Sequence, residues 1–578
     1  MGVAERLGGQ VLGRLLQFPA LNDLHEASLK YPEETPYPER FLGVLGVKAV
    51  YKEEFLAEIP HEGPLVVVAN HPFGGVEGIA LLHLIQQVRP DVKSMSNEML
   101  SIIPGFSDMI IPVDVFGDAA EKNKRPLREC IRWVEGGHCL CVFPAGEVSA
   151  LTLKRRTVAD AAWNPQIARI IKRTAATVVP VFFEGRNSAL FHIAGLVHPR
   201  LRSVLIPHEM IRRRDRPLRL RIGKPIPPER MKQFETPEAL TDYLRVRTYL
   251  LKKERKSSDA APPDAADQEP IITAVAPALM QAEIAMLPPS AKLLSSGEFD
   301  IMVLRGADAP SIMREVGRMR EICFRAAGEG SGKALDLDRY DENYLQLLLW
   351  NREKKELAGG YRMCRTDEVV AAEGVEGLYT HGFFRINPRL IAEIGPALEM
   401  GRAWVHPEYQ KSFSPLMLLW KGIAHYAAFN PKYTKIFGSV SISAEYSPAS
   451  LMLLTAFLKA NVYLPDLARL VRPRNPLPRV GARPYSRREF STVVSHVEEV
   501  NTLVRELEAD GKPMPVLLRQ YLKLNGQLLG FNVDPEFGNV VDGLMLIDIC
   551  SVDPRTLGKY MGKENMDAYF KLHGVTAK

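Results

Sequence analysis

Residues 64–78, PLVVVANHPFGGVEG, hold the pattern that decides the fold of the first half of the chain. The run LVVVA is short, apolar and rich in β-branched residues, which is typical of a strand buried on both faces. The letters PFGG after Asn70 and His71 predict a tight turn, and the run GIALLHLIQQV beyond it has helical period. A buried strand, a turn and a helix in this order predict one unit of a parallel α/β sheet.

The same alternation recurs along the rest of the chain. In the first half, CLCVFPAG at 139–146 and TVVPVFFEG at 177–185 are further apolar runs that end in turn residues. In the second half, FDIMVLRG, KIFGSVSI and LMLIDI are predicted strands, and MREVGRMREICFRAA, YLQLLLWN and LMLLWKGIAHYAAF are predicted helices. Both halves are therefore predicted to be α/β, each with a central sheet.

A chain of 578 residues is long enough for two large domains. Residues 257–270, SSDAAPPDAADQEP, lack large apolar side chains, so they cannot bury enough surface to offset the entropy of ordering. We therefore expect four parts: an amphipathic N-terminal segment at 1–39, an α/β domain at 40–256, a linker at 257–275 and a second α/β domain at 276–578.

The composition excludes several classes of protein. Hydrophobic residues make up 46% of the chain and charged residues 25%, as in folded rather than disordered or fibrous proteins. Its 6 cysteines are few and scattered, and no zinc-finger spacing includes them, so we expect reduced thiols and no metal site. No apolar run approaches the roughly 18–20 residues of a membrane-spanning helix. The charged N-terminus does not resemble a secretory signal.

Positive charge is concentrated in one block. Residues 200–256 contain 17 Lys and Arg against 7 Asp and Glu, although the whole chain carries a net charge of only +6. Such a block suits an anionic membrane surface or an acidic carrier protein, and a solvated charged face is the alternative. Nucleic acid is disfavoured as a partner because no helix-turn-helix, zinc-finger or aromatic RNA-binding pattern lies beside the block.

His71 has the position of a catalytic base. It follows a buried strand, where active sites of α/β proteins gather, and Glu77 near the start of the next helix can pair with it. A carboxylate fixes the tautomer of such an imidazole and stabilises the imidazolium that forms when it takes a proton from a hydroxyl. For this pair alone, a structural histidine is the alternative interpretation.

Three motifs in series resemble the glycerolipid acyltransferase superfamily, which acylates lysophospholipids and glycerol phosphate. The sequence NHPFGGVE is similar to its N-H-x4-D block, FPAGEVS at 143–149 to its F-P-E-G-T-R-S block, and VPVFFEG at 179–185 to its V-P-V strand. The resemblance covers about residues 40–250. It implies five functional residues, of which the first two are catalytic and the others bind substrate: His71, Glu77, Asn70, Gly146 and Glu147.

Three departures from that pattern bear on the acceptor. Glu77 follows His71 by six residues where the family has five. Ala145 and Val148 replace the usual Glu and Arg of the third block, and Val113-Asp114 lies where the second block ends in Arg. Those arginines bind the acceptor's phosphate in the family. Their absence predicts an acceptor without a phosphate monoester, such as a hydroxyl on a lipid with an amino-acid head.

The second half carries four charged blocks in series: REICF at 320–324, DLDRYD at 336–341, GGYR at 359–362 and EMGR at 399–402. Taken singly, the acids could cap the helix predicted for YLQLLLWN, and a calcium loop is disfavoured because its Gly and terminal Glu are absent. Taken together, the blocks resemble the acyl-homoserine-lactone synthase and ornithine-lipid N-acyltransferase branch of the N-acetyltransferase-like superfamily. The match covers roughly 295–550.

This second resemblance implies N-acylation of an amino acid. Glu399 would take the proton that the α-ammonium loses before it attacks a thioester. The acids would hold the acceptor's amine and the arginines would clamp its carboxylate or keep the acids ionised, in a set of six substrate-binding residues: Arg320, Asp336, Asp338, Asp341, Arg362 and Arg402. Residues 410–415, QKSFSP, lack the glycines with which the superfamily cradles a pyrophosphate. An acyl carrier protein, with its phosphopantetheine thioester, therefore fits better than acyl-CoA as donor, and no bound cofactor is expected.

Both halves together resemble the bifunctional ornithine-lipid synthases. The C-terminal domain would make a 3-hydroxyacyl amide of an amino acid from a 3-hydroxyacyl carrier protein, and the N-terminal domain would esterify its 3-hydroxyl. The head group stays open among ornithine, lysine, glycine and glutamine. Two alternatives remain: a synthase of acyl amino acid or lactone signals with a degenerate first domain, and a non-catalytic membrane-binding protein. We expect a cytoplasmic protein attached peripherally to the inner membrane, with lipid substrates and an acyl carrier protein as partners.

Overall fold

The computed structural model describes residues 18–97, 105–113, 123–152, 157–252, 268–412, 414–478, 485–494, 496–508, 510–535 and 537–575. The chain divides into two compact units, Met1–Arg255 with Val480–Ala509, and Lys256–Arg479 with Asp510–Lys578. Each unit has one large sheet with helices around it, so the predicted α/β class is confirmed for both halves.

Unit 1 is built on a mostly parallel sheet. Its described strands are β1 (Ala49–Val50), β2 (Leu65–Ala69), β3 (Val92–Asn97), β4 (Ile110–Val113), β5 (Cys139–Val142), β6 (Ala150–Thr152), β7 (Thr157–Ala159), β8 (Thr177–Phe183) and β9 (Leu218–Ile222). Seven of them form the sheet in the order β1-β9-β8-β2-β5-β3-β4, and only β8 and β9 pair antiparallel within it. All five residues of β2 are buried between β8 and β5, which explains their unbroken apolar run.

The helices of unit 1 connect these strands. Within residues 18–252 the described helices are α1 (Phe18–Ser28), α2 (Tyr37–Leu45), α3 (Glu53–Ala57), α4 (Val76–Gln86), α5 (Lys124–Glu135), α6 (Gln166–Thr174), α7 (Ala189–Val197), α8 (Pro199–Arg212), α9 (Pro228–Met231) and α10 (Pro237–Leu250). Because β2, β5 and β8 are parallel neighbours, the loops that follow them lie at one edge of the sheet.

Unit 2 is built on a mostly antiparallel sheet. Its described strands are β10 (Lys292–Ser296), β11 (Phe299–Arg305), β12 (Leu345–Asn351), β13 (Glu356–Arg365), β14 (Phe384–Ile386), β15 (Ala397–Val405), β16 (Lys435–Ile442), β17 (Val471–Pro473), β18 (Gln527–Asp534) and β19 (Val540–Asp548). The eight-stranded sheet has the order β10-β11-β12-β13-β15-β16-β19-β18. Its described helices before residue 479 are α11 (Pro277–Met286), α12 (Pro310–Ala326), α13 (Thr366–Glu373), α14 (Pro388–Ile394), α15 (Ser414–Phe429), α16 (Pro448–Asn461) and α17 (Pro465–Ala468). The next two helices along the chain, α18 (Arg487–Ser491) and α19 (Val497–Leu507), belong to unit 1. The last three, α20 (Val516–Lys523), α21 (Pro554–Met561) and α22 (Lys563–Leu572), belong to unit 2.

The sheet of unit 2 opens between β15 and β16. These two strands are the parallel pair of an otherwise antiparallel sheet, and they pair only from Ala397–Lys435 to Met400–Gly438. Beyond that point β15 continues beside β13, and β16 continues beside β19. The two strands therefore separate into a V, and among the described residues no strand pairs with the backbone N–H and C=O groups on its inner edges.

The prediction of a helix for YLQLLLWN was wrong. Its last seven residues form β12, which lies between β11 and β13, and all seven are buried. A short run made mostly of apolar residues has too little periodicity to distinguish a strand from a helix. The aspartates that precede it consequently do not cap a helix there, and Asp338 instead caps a single 3₁₀ turn at Arg339–Asp341.

The structure also corrects the expected domain boundaries. The predicted second domain at 276–578 is interrupted, because α18 and α19 belong to unit 1. The reason is electrostatic: Arg245 and Arg247 of α10 are buried and pair with Glu489 of α18 and Glu506 at the end of α19. An unpaired buried guanidinium would be costly, so this distant segment completes unit 1.

Two other predicted parts are described only in part. Residues 1–17 of the N-terminal segment and residues 253–267 of the linker region lie outside the described residues, as does Asp114. The rest of the linker, 268–275, has no helix or strand but is bound along unit 2. Its backbone N–H groups at Glu269 and Ile272 donate to the carbonyls of Gly332 and Ala334.

Candidate active sites

The turn after β2 brings His71 to Glu77. Nδ1 of His71 lies 3.0 Å from Oε1 of Glu77, and its ring packs 4.5 Å from that of Phe143 between centroids. Gly74 makes this turn possible, since its φ of +95° is left-handed and a Cβ there would lie 2.7 Å from Val148. The turn thereby accommodates the additional residue between the two side chains.

Glu77 is completely buried and held by its own turn. Oε1 accepts hydrogen bonds from the N–H groups of Phe73 and Gly74 at 2.7 Å each, and Oε2 accepts one from Gly75 at 3.0 Å. Burial by itself would raise the pKa of Glu77, but the His71 imidazole and the N–H groups of Gly74 and Phe73 lower it. Burial lowers the pKa of His71, and Glu77 outweighs this and raises it above 6.5. The pair therefore combines an ionised Glu77 carboxylate with a His71 imidazole whose raised pKa makes it a stronger base.

Asp160 supports the backbone of His71 and was missed by the sequence analysis. Its Oδ1 accepts from the N–H of His71 at 3.2 Å and from the hydroxyl of Ser149 at 2.5 Å. Its Oδ2 accepts from the indole of Trp163 at 2.9 Å, and its own N–H donates to the hydroxyl of Tyr249 at 2.8 Å. Asp160 thus joins the first motif to the third. The only signal in the sequence was a lone acid beside a tryptophan in ADAAW.

The other predicted residues of unit 1 lie around this pair. Asn70 clamps β2 to β8, because its amide donates to the carbonyl of Phe183 at 3.0 Å and accepts from the N–H of Phe183 at 2.7 Å. Gly146 forms a left-handed turn with φ +67°. Glu147 is half-exposed and pairs with Arg202 at 2.8 Å. Substrate binding by these three residues stays a prediction.

A cavity of about 140 Å³ lies at the same edge of the sheet, and Asn70, Pro72 and Tyr249 are among the residues that line it. Near it, the guanidinium of Arg213 lies 3.8 Å from the ring centroid of Phe73. Among the described residues no carboxylate forms a salt bridge with Arg213, and the acids whose charges act on it are Glu77 and Glu209. A positive group therefore stands beside the His71 turn, although the arginines of the resembled motifs are absent. The sequence analysis counted Arg213 only as part of the basic block.

In unit 2 the predicted charged residues meet in a buried ionic cluster. Arg320, which is fully buried, donates to Oδ1 of Asp341 at 2.8 Å and to the side chain of Gln346 at 2.8 Å. Arg362, also fully buried, donates to Asp338 at 2.5 Å and to Asp341 at 3.3 Å. Burial would lower the pKa of Arg362, but the two aspartates outweigh it and raise it. The blocks from 320 to 362 therefore form one network.

Arg402 joins the cluster from the neighbouring strand. Its Nη2 lies 3.2 Å from Oδ1 of Asp336 and 3.5 Å from Oδ2 of Asp338. Arg402 has a φ of +48°, and β15 carries one extra residue opposite β13 at this point. A left-handed conformation costs a non-glycine residue about 1–3 kcal/mol and is typical of functional sites. The bulge lets Arg402 reach the cluster and also line the cavity described below.

Glu399 positions the loop that carries Tyr379. Its Oε1 accepts from the N–H and the hydroxyl of Thr380 at 2.7 and 2.6 Å, and its Oε2 accepts from the hydroxyl of Tyr344 at 2.5 Å and the N–H of Tyr379 at 3.3 Å. The ring of Tyr379 then lies under the guanidinium of Arg362, 4.5 Å from its centroid. Both oxygens of Glu399 are occupied, an arrangement that suits a positioning residue. Its role as proton acceptor stays a prediction.

A cavity of about 160 Å³ opens in the V between β15 and β16. Arg402 and Tyr379 line it on the side of the ionic cluster. Its lining also contains three acids that the sequence analysis missed: Glu329, Asp534 and Asp542. Glu329 lies outside the motifs of the sequence analysis. Asp534 and Asp542 lie in the C-terminal stretch 515–544, which resembles the ornithine-lipid enzymes, but no motif marks either acid there and only the fold brings them to the cavity.

The comparisons with known proteins agree with this geometry. A family model described as an acyltransferase matches residues 32–260, and one described as an acetyltransferase (GNAT) domain matches residues 319–421. The chain is 31% identical to the glycine N(alpha)-acyltransferase of Phocaeicola vulgatus, over 49% of this chain and 89% of that protein. The chain belongs to this family of N-acyltransferases.

This N-acyltransferase also carries an O-acyltransferase domain. It is 27% identical to the lyso-glycine lipid O-acyltransferase of Phocaeicola vulgatus, over 34% of this chain and 71% of that protein. It is 28% identical to the L-ornithine N(alpha)-acyltransferase of Rhodobacter capsulatus, over 43% of this chain and 90% of that protein. The predicted fusion of two acyltransferases is therefore confirmed.

Two features of the described ranges concern metals and membranes. No three His, Cys, Asp or Glu side chains in the described parts of the chain are arranged to hold a metal ion. None of the helices that the structure describes is long and apolar enough to cross a membrane.

Proposed function

We propose that this acyltransferase makes a two-chain lipid with an amino-acid head, of the ornithine-lipid type, in two steps. Unit 2 transfers a 3-hydroxyacyl group to the α-amine of an amino acid, and unit 1 then esterifies the 3-hydroxyl with a second acyl group. The observation that carries the proposal is that one chain holds both an N-acyltransferase unit and an O-acyltransferase unit, and that the second contains a His71–Glu77 pair arranged as a general base. Relatives named for a glycine N-acyl step and a lyso-glycine lipid O-acyl step support it.

The first step needs a site for a zwitterion beside a thioester. Arg402 provides a cation for the acceptor's carboxylate, and the cavity's acids provide anions for its ammonium. The separated edges of β15 and β16 offer backbone groups to the amides of a phosphopantetheine arm. We take an acyl carrier protein as donor, because the QKSFSP loop lacks a glycine cradle for the pyrophosphate of coenzyme A.

The second step needs a base for a hydroxyl. His71, held by Glu77, takes the proton from the 3-hydroxyl as its oxygen attacks the acyl carbonyl, and returns it to the leaving thiol. The acceptor of this step still carries the free carboxylate of its amino-acid head. Arg213, next to the His71 turn, is a suitable partner for that carboxylate. This would replace the phosphate-binding arginines of the resembled family.

Both steps use lipid, so we place the enzyme in the cytoplasm, peripherally on the cytoplasmic face of the inner membrane. The support is a hairpin of α7 and α8 in which six aliphatic side chains are 40–76% exposed: Leu190, Ile193, Leu196, Val197, Leu201 and Val204. Exposed arginines follow it at 212, 214 and 216. Aliphatic residues beside arginines are complementary to an anionic bilayer surface. Not all of the basic block contributes, because Arg245 and Arg247 are buried.

Lipid analysis of a bacterial host that expresses the chain tests the proposal. We expect a new ninhydrin-positive, phosphorus-free lipid with one amide-linked and one ester-linked chain, and mass spectrometry identifies its head group. Accumulation of only an acyl amino acid or lactone would instead favour a signal synthase with a degenerate first unit. No new acylated product would favour the non-catalytic membrane-binding alternative, against which the intact His71–Glu77 pair argues.

A further inference from the structure

One wall of the cavity in unit 2 is acidic. Glu329, Asp534 and Asp542, here called the acid wall, all line it. On the paired strands β18 and β19, Asn532 lies opposite Asp542 and Asp534 lies opposite Val540. Asp534 and Asp542 are therefore diagonal neighbours on the same face of the sheet, close enough to interact. Arg402 lines the same cavity.

Asp542 is the member of the acid wall with an unsatisfied oxygen. It is only 3% exposed, and its Oδ1 accepts a hydrogen bond from the hydroxyl of Ser441 at 2.9 Å. Its buried Oδ2 accepts no hydrogen bond within 3.5 Å from the described residues, and the nearby hydroxyl of Ser439, which lines the same cavity, only helps to lower the pKa of Asp542. Burial, with a contribution from the carboxylates of Asp534 and Glu329, raises the pKa of Asp542 to about 7. A buried carboxylate of this kind is stabilised by a cationic ligand that donates hydrogen bonds to it.

We propose that Asp542 binds the ammonium group of the amino-acid acceptor and removes its proton before the amine attacks the thioester, and that Glu329 passes this proton to solvent. This assignment rests on the proposed function of unit 2. It gives the proton-accepting role to a residue with a free oxygen, whereas both oxygens of Glu399 are occupied.

The step balances as an ordinary amide synthesis. One proton moves from the ammonium to the carboxylate of Asp542, and the freed nitrogen lone pair forms a C–N bond with the thioester carbonyl. The tetrahedral intermediate collapses as the C–S bond breaks, and a second N–H proton goes to the leaving thiolate, which departs as a thiol. One proton remains on Asp542 in each turnover and must leave before the next.

Glu329 provides the exit for that proton. It is partly exposed, and burial together with nearby Asp534 raises its pKa to about 7 against the opposing charge of Arg402. Two carboxylates of similar pKa exchange a proton at little energetic cost. The other titratable or charged groups that line the cavity are Arg402, Tyr361, Tyr379, Tyr521 and Asp534.

The test uses the purified full-length chain with 3-hydroxypalmitoyl thioesters of acyl carrier protein and of coenzyme A, and with ornithine, lysine, glycine and glutamine as acceptors. In Asp542→Asn we expect kcat/KM for N-acylation to fall by about 10²-fold or more. The acidic limb of its pH profile, near pH 7, should disappear. The matched control is Asp548→Asn on the same strand, outside the cavity lining, where the N-acylation profile should be unchanged. The far-UV circular dichroism and the thermal unfolding transition of each purified variant, compared with the wild-type chain, report whether unit 2 is folded.

Two further variants separate proton transfer from a structural effect. Ser441→Ala removes a hydrogen bond that lowers the pKa of Asp542, so the acidic limb should move to higher pH. Glu329→Gln should lower kcat more than kcat/KM, and added imidazole buffer should restore it. An Asp542→Asn enzyme with a wild-type pH profile, or a limb that Ser441→Ala does not move, would overturn the inference. If the wild-type chain acylates none of the four amino acids, the proposed function itself falls, and the inference with it.

Discussion

Oε1 of Glu77 lies 3.0 Å from Nδ1 of His71, although one more residue separates them than in the motif they resemble. The left-handed Gly74 absorbs this residue, and the N–H groups of the turn then point at the carboxylate. The hydrogen bonds of the turn therefore hold the Glu77 carboxylate in place beside His71. The charge on Glu77 in turn raises the pKa of His71.

This relationship makes the O-acylation rate depend on pH in a defined way. His71 must be neutral to accept a proton, so the rate should rise through an apparent pKa above 6.5. In Glu77→Gln the charge that raises this pKa is gone, so the limb should move to lower pH. The plateau rate should fall by roughly 10²-fold because the imidazolium loses its stabilising anion. Glu135→Gln, a half-exposed glutamate, is the control. A limb that stays in place in Glu77→Gln would contradict the pairing.

The segment with α18 and α19 should be required for the stability of unit 1. Glu489→Ala leaves Arg245, which is 2% exposed, without this carboxylate, and breaking a buried pair in this way costs roughly 3–5 kcal/mol. Thermal unfolding should show an earlier transition, with loss of O-acylation before N-acylation. Glu498→Ala, which is exposed in the same segment, should not show this change. If Glu489→Ala and Glu498→Ala unfold at the same temperature, the segment is dispensable for the stability of unit 1.

The hairpin of α7 and α8 should bind anionic bilayers. In Ile193→Asp with Val197→Asp, binding to vesicles that contain phosphatidylglycerol should weaken about tenfold or more, since burying one aliphatic side chain contributes roughly 1.5–3 kcal/mol. High salt should weaken the binding of the wild-type protein to the same vesicles. The control is Leu572→Asp, at a position that is 65% exposed in unit 2. Equal loss in that control would show that the hairpin is not the membrane surface.

The sequence predicted those parts of both sites that follow from strand order. His71 and the third motif follow neighbouring parallel strands, so their meeting at one edge was predictable. Asp160 and Asp542 were not, because each is a single acid that only tertiary pairing brings to its site. YLQLLLWN was assigned wrongly because a short, mostly apolar run has too little periodicity to separate a strand from a helix. The interruption of unit 2 at α18 and α19 depends on pairing with Arg245, which no local pattern encodes.

Glu399 is expected to act by holding Tyr379 in place. In Glu399→Gln the amide NH₂ would face groups that donate hydrogen bonds, and each buried group left unsatisfied costs about 1–3 kcal/mol. N-acylation should therefore fall, while the acidic limb of its pH profile stays where it is in the wild-type enzyme. The exposed Glu393→Gln is the control. Loss of the limb in Glu399→Gln would instead identify Glu399 as the proton acceptor.

The last prediction concerns the order of the two reactions. The ester step needs the hydroxyl that the amide step supplies, so the two units should fail differently. In His71→Ala the base of the ester step is gone, and loss of general-base help typically lowers a rate by about 10²–10⁴. The mono-acylated amide should therefore accumulate in cells, and the two-chain lipid should nearly disappear.

In Arg402→Ala the amide does not form, so both lipids should be missing. Synthetic 3-hydroxyacyl amino acid supplied to the Arg402→Ala cells should restore the two-chain lipid through the intact His71 site. A His71→Ala strain that still makes normal amounts of two-chain lipid would show that His71 is structural or that a host enzyme performs the ester step.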